Sequence, residues 1–227
     1  MSQYVKNTIL DTLLSALAPH YCYGCGSVGT LLCDNCKYNI TSESYDGCLG
    51  CGRLTSGGVC GGCELSVARG WCVGEREDSL KALIDGYKFG RAKASARVLA
   101  ELLDEALPHL PSSVIITSIP TVSSHIRMRG YDHAALLARN FADIRGLPYQ
   151  TTLHRVTRDR QRGASRSQRQ AQAKKAFAPA WSLEPSNIYL LIDDIATTAA
   201  SLRYAAQAMK NAGAGEVWAA VVARQPL

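Results

Sequence analysis

Eight of the nine cysteines stand in four pairs, and the two members of each pair are separated by two residues. Two thiolates at this spacing reach one tetrahedral Zn²⁺ from a tight turn, and two such turns complete a closed structural site. Gly26 and Gly52 follow pairs at points where the chain must bend sharply. The sequence therefore predicts two zinc ions, held by Cys22, Cys25, Cys33, Cys36, Cys48, Cys51, Cys60 and Cys63.

Other uses of these cysteines fit less well. A disulfide framework belongs to exported chains, and a redox Cys-x-x-Cys would occur once, beside a βαβ unit. Sharing of each metal by consecutive pairs is the simplest arrangement, but the spacing also permits a crossed pairing. Cys72 is left over and is interpreted as an ordinary buried thiol. Because the segments between pairs are short and rich in glycine, the metal must supply much of their folding free energy.

The first twenty residues predict a short amphipathic helix that packs on the protein. Their apolar side chains recur at helical spacing, whereas Asn7 and Asp11 interrupt the apolar run that a signal peptide would need. No stretch approaches the ~20 apolar residues of a membrane span. We therefore expect a cytoplasmic protein.

After Trp71 the sequence changes to the pattern of an α/β domain. Helical spacing runs from Ser79 to Ala106, with Gly86 and Gly90 marking a break between two pieces. The elements predicted next are a strand at 114–118, a helix at 131–144, a strand at 188–193, a helix at 201–211 and a strand at 217–222. Such alternation predicts a parallel sheet covered on both faces. We expect two domains, a double zinc ribbon over residues 1–72 and an α/β domain over residues 73–227.

The stretch YLLIDDIATTAASL, which begins at residue 189, carries the chemistry of this domain. Asp193 and Asp194 follow a buried run, at the end of a parallel strand where ligands bind, and their carboxylates suit vicinal hydroxyls or Mg²⁺. The hydroxyls of Thr197, Thr198 and Ser201 then line a slim turn before a helix, which is typical of phosphate sites. The alternative is that Asp194 or Thr197 merely caps that helix.

Five blocks in this order resemble the ComF family, whose members join a double zinc ribbon to a phosphoribosyltransferase-like domain and include proteins of natural competence. The blocks are the four cysteine pairs after an N-terminal helix, Ile84-Asp85-Gly86-Tyr87-Lys88-Phe89-Gly90, Ile119-Pro120 with Arg129-Gly130-Tyr131, Gln161 through Arg169 into Ala176-Phe177, and Ile192-Asp193-Asp194-Ile195 with Thr197-Thr198. The resemblance covers essentially the whole chain. Each block alone is modestly specific, so the common order carries the resemblance.

The resemblance implies a type I phosphoribosyltransferase fold that binds phosphoribosyl pyrophosphate (PRPP) with Mg²⁺. It implies that Asp193 and Asp194 hold the ribose hydroxyls. The 5′-phosphate would lie in the turn of Ile195, Ala196, Thr197, Thr198, Ala199, Ala200 and Ser201, and the pyrophosphate would face Pro120, Arg127, Arg129 and Lys88. If phosphoribosyl transfer occurs, the two carboxylates position the sugar and cations such as Arg129 stabilise the leaving group.

Three positions depart from the family pattern. The family glycine after the two threonines is Ala199, its Arg-Gly-Phe-Asn-Gln is Arg129-Gly130-Tyr131-Asp132-His133, and its later Asn is Gln172. Alanine is costly there, by about 1 to 2 kcal/mol, only if the turn requires a positive φ. His125 and His133 are interpreted as surface or loop residues, because nothing in their spacing gives either a partner.

The positive charge of the chain is concentrated between residues 155 and 175, which hold eight basic residues and one acidic residue, while the whole chain carries +6. This segment fits a solvated helix, a loop closing over PRPP, or a track for single-stranded DNA, although it has no aromatic residue to stack on a base. The DNA interpretation assigns Arg155, Arg158, Arg160, Arg162, Arg166 and Arg169.

Two functions remain open at this point. One is a phosphoribosyltransferase that releases pyrophosphate, and the other is a non-catalytic accessory protein that handles single-stranded DNA with DNA-uptake proteins. Both use the same phosphate turn and the same basic segment, so the sequence does not separate them.

Overall fold

A computed structural model describes residues 19–90, 92–156 and 176–226 of the chain. The predicted N-terminal helix and the departure at Gln172 lie outside these residues. So do Arg158, Arg160, Arg162, Arg166 and Arg169 of the predicted DNA track. Among the described residues, no helix is long and apolar enough to cross a membrane.

The core of the fold is a four-stranded parallel sheet in the order β1-β6-β5-β2. Its strands are β1 (Arg69–Glu75), β2 (Val114–Ser118), β5 (Ile188–Ala196) and β6 (Glu216–Arg224). A separate antiparallel pair consists of β3 (Leu153–Arg155) and β4 (Phe177–Pro179). Every residue of β2 is buried, as expected for a parallel strand covered on both faces. The predicted parallel α/β fold is confirmed.

Helices cover the two faces of the sheet. The helices are α1 (Asp34–Thr41), α2 (Asp78–Phe89), α3 (Ser95–Ala106), α4 (Ser123–Arg129), α5 (His133–Arg145) and α6 (Ala200–Asn211). Leucines of α2, α3 and α5 pack with alternate residues of the strands on one face, and Leu202 and Met209 of α6 pack on the other. Because β5 lies at the centre of the sheet, the turn after it is held by a well-packed core.

The cysteine-rich segment packs on both faces of the same sheet. Leu32 and Cys36 belong to the core on the α2 and α3 side, whereas Leu49 and Leu65 belong to the core on the α6 side. The segment therefore flanks the edge strand β1, which shields that edge from pairing with another chain. The expected boundary between residues 72 and 73 falls inside β1.

Several local predictions differ from the structure. Strand β5 continues to Ala196 instead of ending at Asp193, because Ile195 and Ala196 still pair with β6. Strand β1 and helix α4 were not predicted. Gly86 lies inside α2 and only Gly90 ends it. The reason is packing, because the ring of Tyr23 occupies the space that a side chain at Gly86 would take.

Candidate functional site

The eight paired cysteines form two clusters of four. Cys22, Cys25, Cys33 and Cys36 form one, Cys48, Cys51, Cys60 and Cys63 form the other, and within each cluster the sulfur atoms lie within 4.8 Å of one another. Consecutive pairs therefore meet, and the crossed pairing is not formed. All nine cysteines are free thiols.

The sulfur geometry fits zinc. Tetrahedral coordination with Zn–S bonds of about 2.3 Å places ligand sulfurs about 3.8 Å apart. The Sγ atoms of Cys25 and Cys33 are 3.6 Å apart, and those of Cys51 and Cys60 are 3.7 Å apart. These eight cysteines can therefore hold two structural zinc ions, in accord with the prediction.

The second cluster touches the end of β6 through one glycine. Gly52 has a φ of +76°, and a Cβ atom there would lie 2.7 Å from Cζ of Arg224. Arg224 is only 3% exposed, and its backbone pairs with Ala196, the last residue of β5. The cysteine turn thus packs against the end of β6, which pairs with the end of β5 just before the predicted phosphate turn.

Asp194 is the centre of a buried charged network. Its Oδ2 atom lies 2.8 Å from Nζ of Lys88 and 3.1 Å from Nε2 of His133. The Asp194 side chain is 4% exposed and that of Lys88 is 14% exposed, so solvent screens this pair weakly. A carboxylate in this position is held by two partners rather than by a helix N-terminus.

His133 links Asp194 to Arg129. The NH1 atom of Arg129 lies 2.7 Å from Nδ1 of His133. Because a guanidinium can only donate, Nδ1 is the acceptor and Nε2–H donates to Asp194. The imidazole is therefore a neutral bridge between a cation and an anion. The interpretation of His133 as a surface or loop residue was wrong, since it is 7% exposed.

The two neighbouring carboxyl groups have opposite electrostatic environments. Burial alone would raise the pKa of Asp194, but the hydrogen bond from His133 and the charge of Lys88 outweigh it and hold that pKa well below its usual range. Burial and the charge of Asp194 raise the pKa of Asp193. Oxygen and nitrogen atoms of His133, Asp193 and Asp194 lie within 4.8 Å of one another. One stable carboxylate therefore adjoins a carboxyl group that readily takes a proton.

The turn after β5 has a strained residue at its base. Ala199 is buried and has a φ of +50° and a ψ of 17°, in the left-handed region. It occupies the position before α6, where no side chain caps the helix. The proposed capping role of Asp194 or Thr197 is therefore wrong. Thr197, Thr198, Ala200 and Ser201 surround this residue at the turn, while Ile195 and Ala196 belong to β5.

The second predicted loop, after β2, contains a short helix. Pro120 precedes α4, which carries Arg127 and Arg129 in its last turn and ends at Gly130 with a φ of +81°. Arg129 points into the core and reaches His133, whereas Arg127 is exposed. Of the cations assigned to pyrophosphate, Lys88 and Arg129 thus contact the Asp194 network.

Two tyrosines fix the geometry of this network. The hydroxyl of Tyr87 donates to the backbone carbonyl of His133 at 2.6 Å, and the hydroxyl of Tyr131 donates to the carbonyl of Tyr87. These bonds hold the end of α2 against the start of α5. Sequence reasoning missed the role of both tyrosines and of His133, because Arg129 ends α4 and His133 begins α5, so the fold and not a helical spacing brings them together.

Residues 126–226 match the phosphoribosyl transferase domain family. The chain is 29% identical over 206 residues to "Competence protein F" of Haemophilus influenzae, covering 82% of this chain and 87% of that relative. It is 24% identical over 191 residues to "Competence protein ComFC" of Streptococcus pneumoniae, covering 82% of this chain and 84% of that relative. The chain is ComF-like.

The family resemblance predicted from the motifs is thereby confirmed, including the cysteine clusters and the phosphoribosyltransferase domain of this ComF-like chain. A solved structure described as the allosteric regulatory enzyme of purine biosynthesis matches 57% of this chain and 25% of its own, with 17% identity and a TM-score of 0.42. The fold assignment rests on the strand order and the family match.

The ComF-like chain also has a groove of about 780 Å³ away from the Asp194 network. It is lined by residues just after the second cysteine cluster, by β4 and by α6, among them Glu64, Phe177 and Arg203. No residue of the Asp194 network or of the turn after β5 lines this groove, so the groove is separate from the candidate site.

Proposed function

We propose that the ComF-like chain binds PRPP at the ends of β2 and β5. This proposal rests on the order in which carboxylates, hydroxyls and a helix N-terminus follow one another along strand β5 and the turn after it. Asp193 and Asp194 lie near the end of the central strand β5, a left-handed turn with exposed hydroxyls follows Ala196, and α6 begins there. A vicinal diol, then a phosphate, is the ligand that such a series suits.

Each of the two carboxyl groups is assigned one hydroxyl of the ribose. Asp194 stays ionised beside Lys88 and His133, so it accepts a hydrogen bond from a hydroxyl with full charge assistance. Burial and the charge of Asp194 raise the pKa of Asp193, so its carboxyl group takes the neighbouring hydroxyl without full charge assistance. The 5′-phosphate is assigned to the turn from Ile195 through Ser201.

The pyrophosphate of PRPP is assigned to the loop after β2. Pro120 shapes the start of this loop, and Arg127 supplies an exposed cation. Lys88 and Arg129 contribute positive charge from behind the site. Mg²⁺, bound together with PRPP, would neutralise the remaining phosphate charge. If the protein transfers phosphoribosyl groups, the C1–O bond to pyrophosphate breaks while a bond forms between C1 and an acceptor, and these cations stabilise the pyrophosphate that leaves.

A second candidate function follows from the names of the two relatives, which are both competence proteins. We propose that the chain takes part in handling incoming single-stranded DNA alongside DNA-uptake proteins. The local excess of arginine at residues 155–169 supports binding to the phosphate backbone of DNA.

Cysteines arranged to bind a metal favour a reducing compartment, and we propose that the protein acts in the cytoplasm. We also propose that the chain has two domains, a double zinc ribbon over residues 1–72 and a phosphoribosyltransferase-like domain over residues 73–227.

Calorimetry with PRPP and Mg²⁺ tests the first function. We expect binding by the parent protein and a loss of roughly 10- to 100-fold in affinity for Asp194→Asn, because a charge-assisted acceptor is lost. Asp85→Asn is the matched control, since Asp85 also pairs with two cations, Lys81 and Arg76, but lies outside the site. The proposal fails if the parent protein does not bind PRPP, or if Asp194→Asn binds as tightly as Asp85→Asn.

A further inference from the structure

The groove of about 780 Å³ beside α6 has no part in the proposed PRPP site, although its volume is that of a small-ligand pocket. Arg203, Gln207 and Asn211 line it and follow one another at intervals of four residues, so they share one face of α6. Glu64 and Ser66, just after the second cysteine cluster, also line it. The groove therefore joins the cysteine-rich segment to a polar face of the helix.

The loop that carries Glu64 and Ser66 is held in a fixed shape. Both residues adopt the left-handed backbone region, with φ of +47° and +58°, although neither is glycine. Leu65 and Val67, which alternate with them, are buried in the core on the α6 side. Because the buried side chains anchor the backbone, the loop presents the same side chains to the groove at all times.

Two arginine side chains lie over aromatic rings that line the groove. The Cζ atom of Arg203 is 5.2 Å from the centroid of the Tyr204 ring, and that of Arg155 is 5.2 Å from the centroid of the Phe177 ring. Arg203 and Tyr204 are both half-buried, so part of each stays accessible. Nucleobases stack on aromatic rings and on guanidinium planes. The pair of Arg203 and Tyr204 thus suits a flat heterocycle.

The polar side chains of the groove suit the edge of a base rather than a phosphate. The carboxamides of Gln207 and Asn211 offer both donors and acceptors, as the edges of bases do. Their orientation is set by a chain of hydrogen bonds, because Oγ of Ser66 donates to Oε1 of Gln207 at 3.1 Å and Nε2 of Gln207 donates to Oδ1 of Asn211 at 2.9 Å. The carboxylate of Glu64 repels phosphate, so a nucleotide would keep its phosphate outside the groove.

The groove adjoins both ends of the arginine-rich segment. Arg155 ends β3, Phe177 begins β4, and the two residues are partners across this antiparallel pair. The eight basic residues of the segment lie at positions 155–175, between these two strands in the sequence. The segment itself has no aromatic residue, but the fold places Phe177 and Tyr204 beside its first arginine.

We propose that this groove binds a base of single-stranded DNA, with Arg203 and Tyr204 as the stacking surface and with Gln207 and Asn211 facing the edge of the base. The inference rests on the second proposed function, because it assumes that the chain binds a DNA strand. It separates two tasks in binding. The arginine-rich segment neutralises phosphates, whereas the groove holds an uncharged base.

Fluorescence anisotropy over a series of salt concentrations tests the assignment, with an oligothymidylate and an abasic oligonucleotide of the same length as probes. Both carry the same phosphates, and only the first carries bases. We expect Tyr204→Leu to lower the affinity for oligothymidylate by roughly 5- to 100-fold, the effect of losing one stacked base. The slope of log K against log salt concentration should not change, since no phosphate contact is lost. The affinity for the abasic probe should stay the same, and Tyr204→Phe should bind both probes as the parent does.

Two further variants make the result decisive. Arg203→Met removes the guanidinium plane and should also weaken the binding of oligothymidylate, whereas Tyr38→Leu, on α1 and outside the groove, should change neither affinity. Thermal unfolding checks that each variant is folded.

Three outcomes would overturn the assignment of the groove. They are equal binding of the two probes by the parent protein, a preference for oligothymidylate that survives in both Tyr204→Leu and Arg203→Met, and an equal loss of affinity for both probes in a folded Tyr204→Leu protein. Absence of binding of either probe by the parent contradicts the second proposed function itself. Thymidine 5′-monophosphate that binds the parent but not Tyr204→Leu, while oligothymidylate binds neither, would place a free nucleotide in the groove and overturn the assignment to DNA.

Discussion

Replacement of Ala199 by glycine should reveal the strain in the turn after β5. An alanine with a φ of +50° is disfavoured by about 1 to 2 kcal/mol, because its Cβ atom approaches the following carbonyl oxygen. Glycine removes this strain. It also brings two losses, about 0.8 kcal/mol for one buried methyl group and about 0.4 to 1 kcal/mol from the greater freedom of the unfolded chain. The net change in stability of Ala199→Gly is therefore close to zero.

Ala206→Gly is the control that isolates the strain. Ala206 is fully buried in α6, where its backbone is helical, so the same substitution brings both losses and no relief. The two variants should differ in unfolding free energy by about 1 to 2 kcal/mol, the full value of the strain. For a chain of this size the difference corresponds to roughly 2 to 8 °C in Tm.

Urea and thermal unfolding followed by circular dichroism measure the difference. Since the turn is already left-handed before a ligand arrives, Ala199→Gly should leave the affinity for PRPP nearly unchanged. Equal destabilisation by Ala199→Gly and Ala206→Gly would refute the reasoning, because it would mean that the turn stores no strain at residue 199.

Four further outcomes are expected. The purified protein should contain about two equivalents of zinc. Chelation should lower the stability of the whole chain, since Leu32, Leu49 and Leu65 belong to the cores of the sheet. A metal analysis that finds no zinc would contradict this expectation. Asp193→Asn should gain stability relative to the parent as pH rises from acid to neutral, because the stability contributed by a group with a raised pKa is lost in that direction. Asp194→Asn should lose about 2 to 3 kcal/mol at neutral pH, a loss that fades only in strong acid because that pKa is depressed; urea titrations at several pH values that show both variants shifting alike would reject the assignment. Charge reversal of Arg158, Arg160 and Arg162 should weaken the salt dependence of any single-stranded DNA binding. The slope of log K against log salt concentration should fall by about 0.7 for each DNA phosphate that is no longer neutralised. An unchanged slope rules out this segment as the DNA track.

The sequence was sufficient to predict the elements whose pattern is local. The cysteine spacing indicated both metal clusters, and the buried run before Asp193 indicated the central strand. Strand β1 was missed because Arg69–Glu75 contains two glycines, which weaken the local strand pattern, and becomes a strand by pairing with β6. Tertiary pairing, which no local pattern encodes, decided that segment.

The site was predictable in its residues but not in its connections. Asp194 was selected because two carboxylates after a buried strand are expensive unless they have partners. The partners themselves, Lys88 and His133, come from α2 and α5, so only the fold brings them to one oxygen atom.

The strand order has a consequence for the way this chain is made. The sheet partner of β1 is β6, and Trp71 lies opposite Ala220 in their register. A chain that emerges from the ribosome with its N-terminus first can close the cysteine clusters early, because their ligands are near neighbours in sequence. Strand β1 then has to wait until almost all of the described chain has been synthesised. Such distant pairing is slow, and an exposed strand edge promotes aggregation in the interval. Early capture of zinc would cover both sides of the waiting strand, so metal supply during translation should govern how much of this protein reaches its folded state.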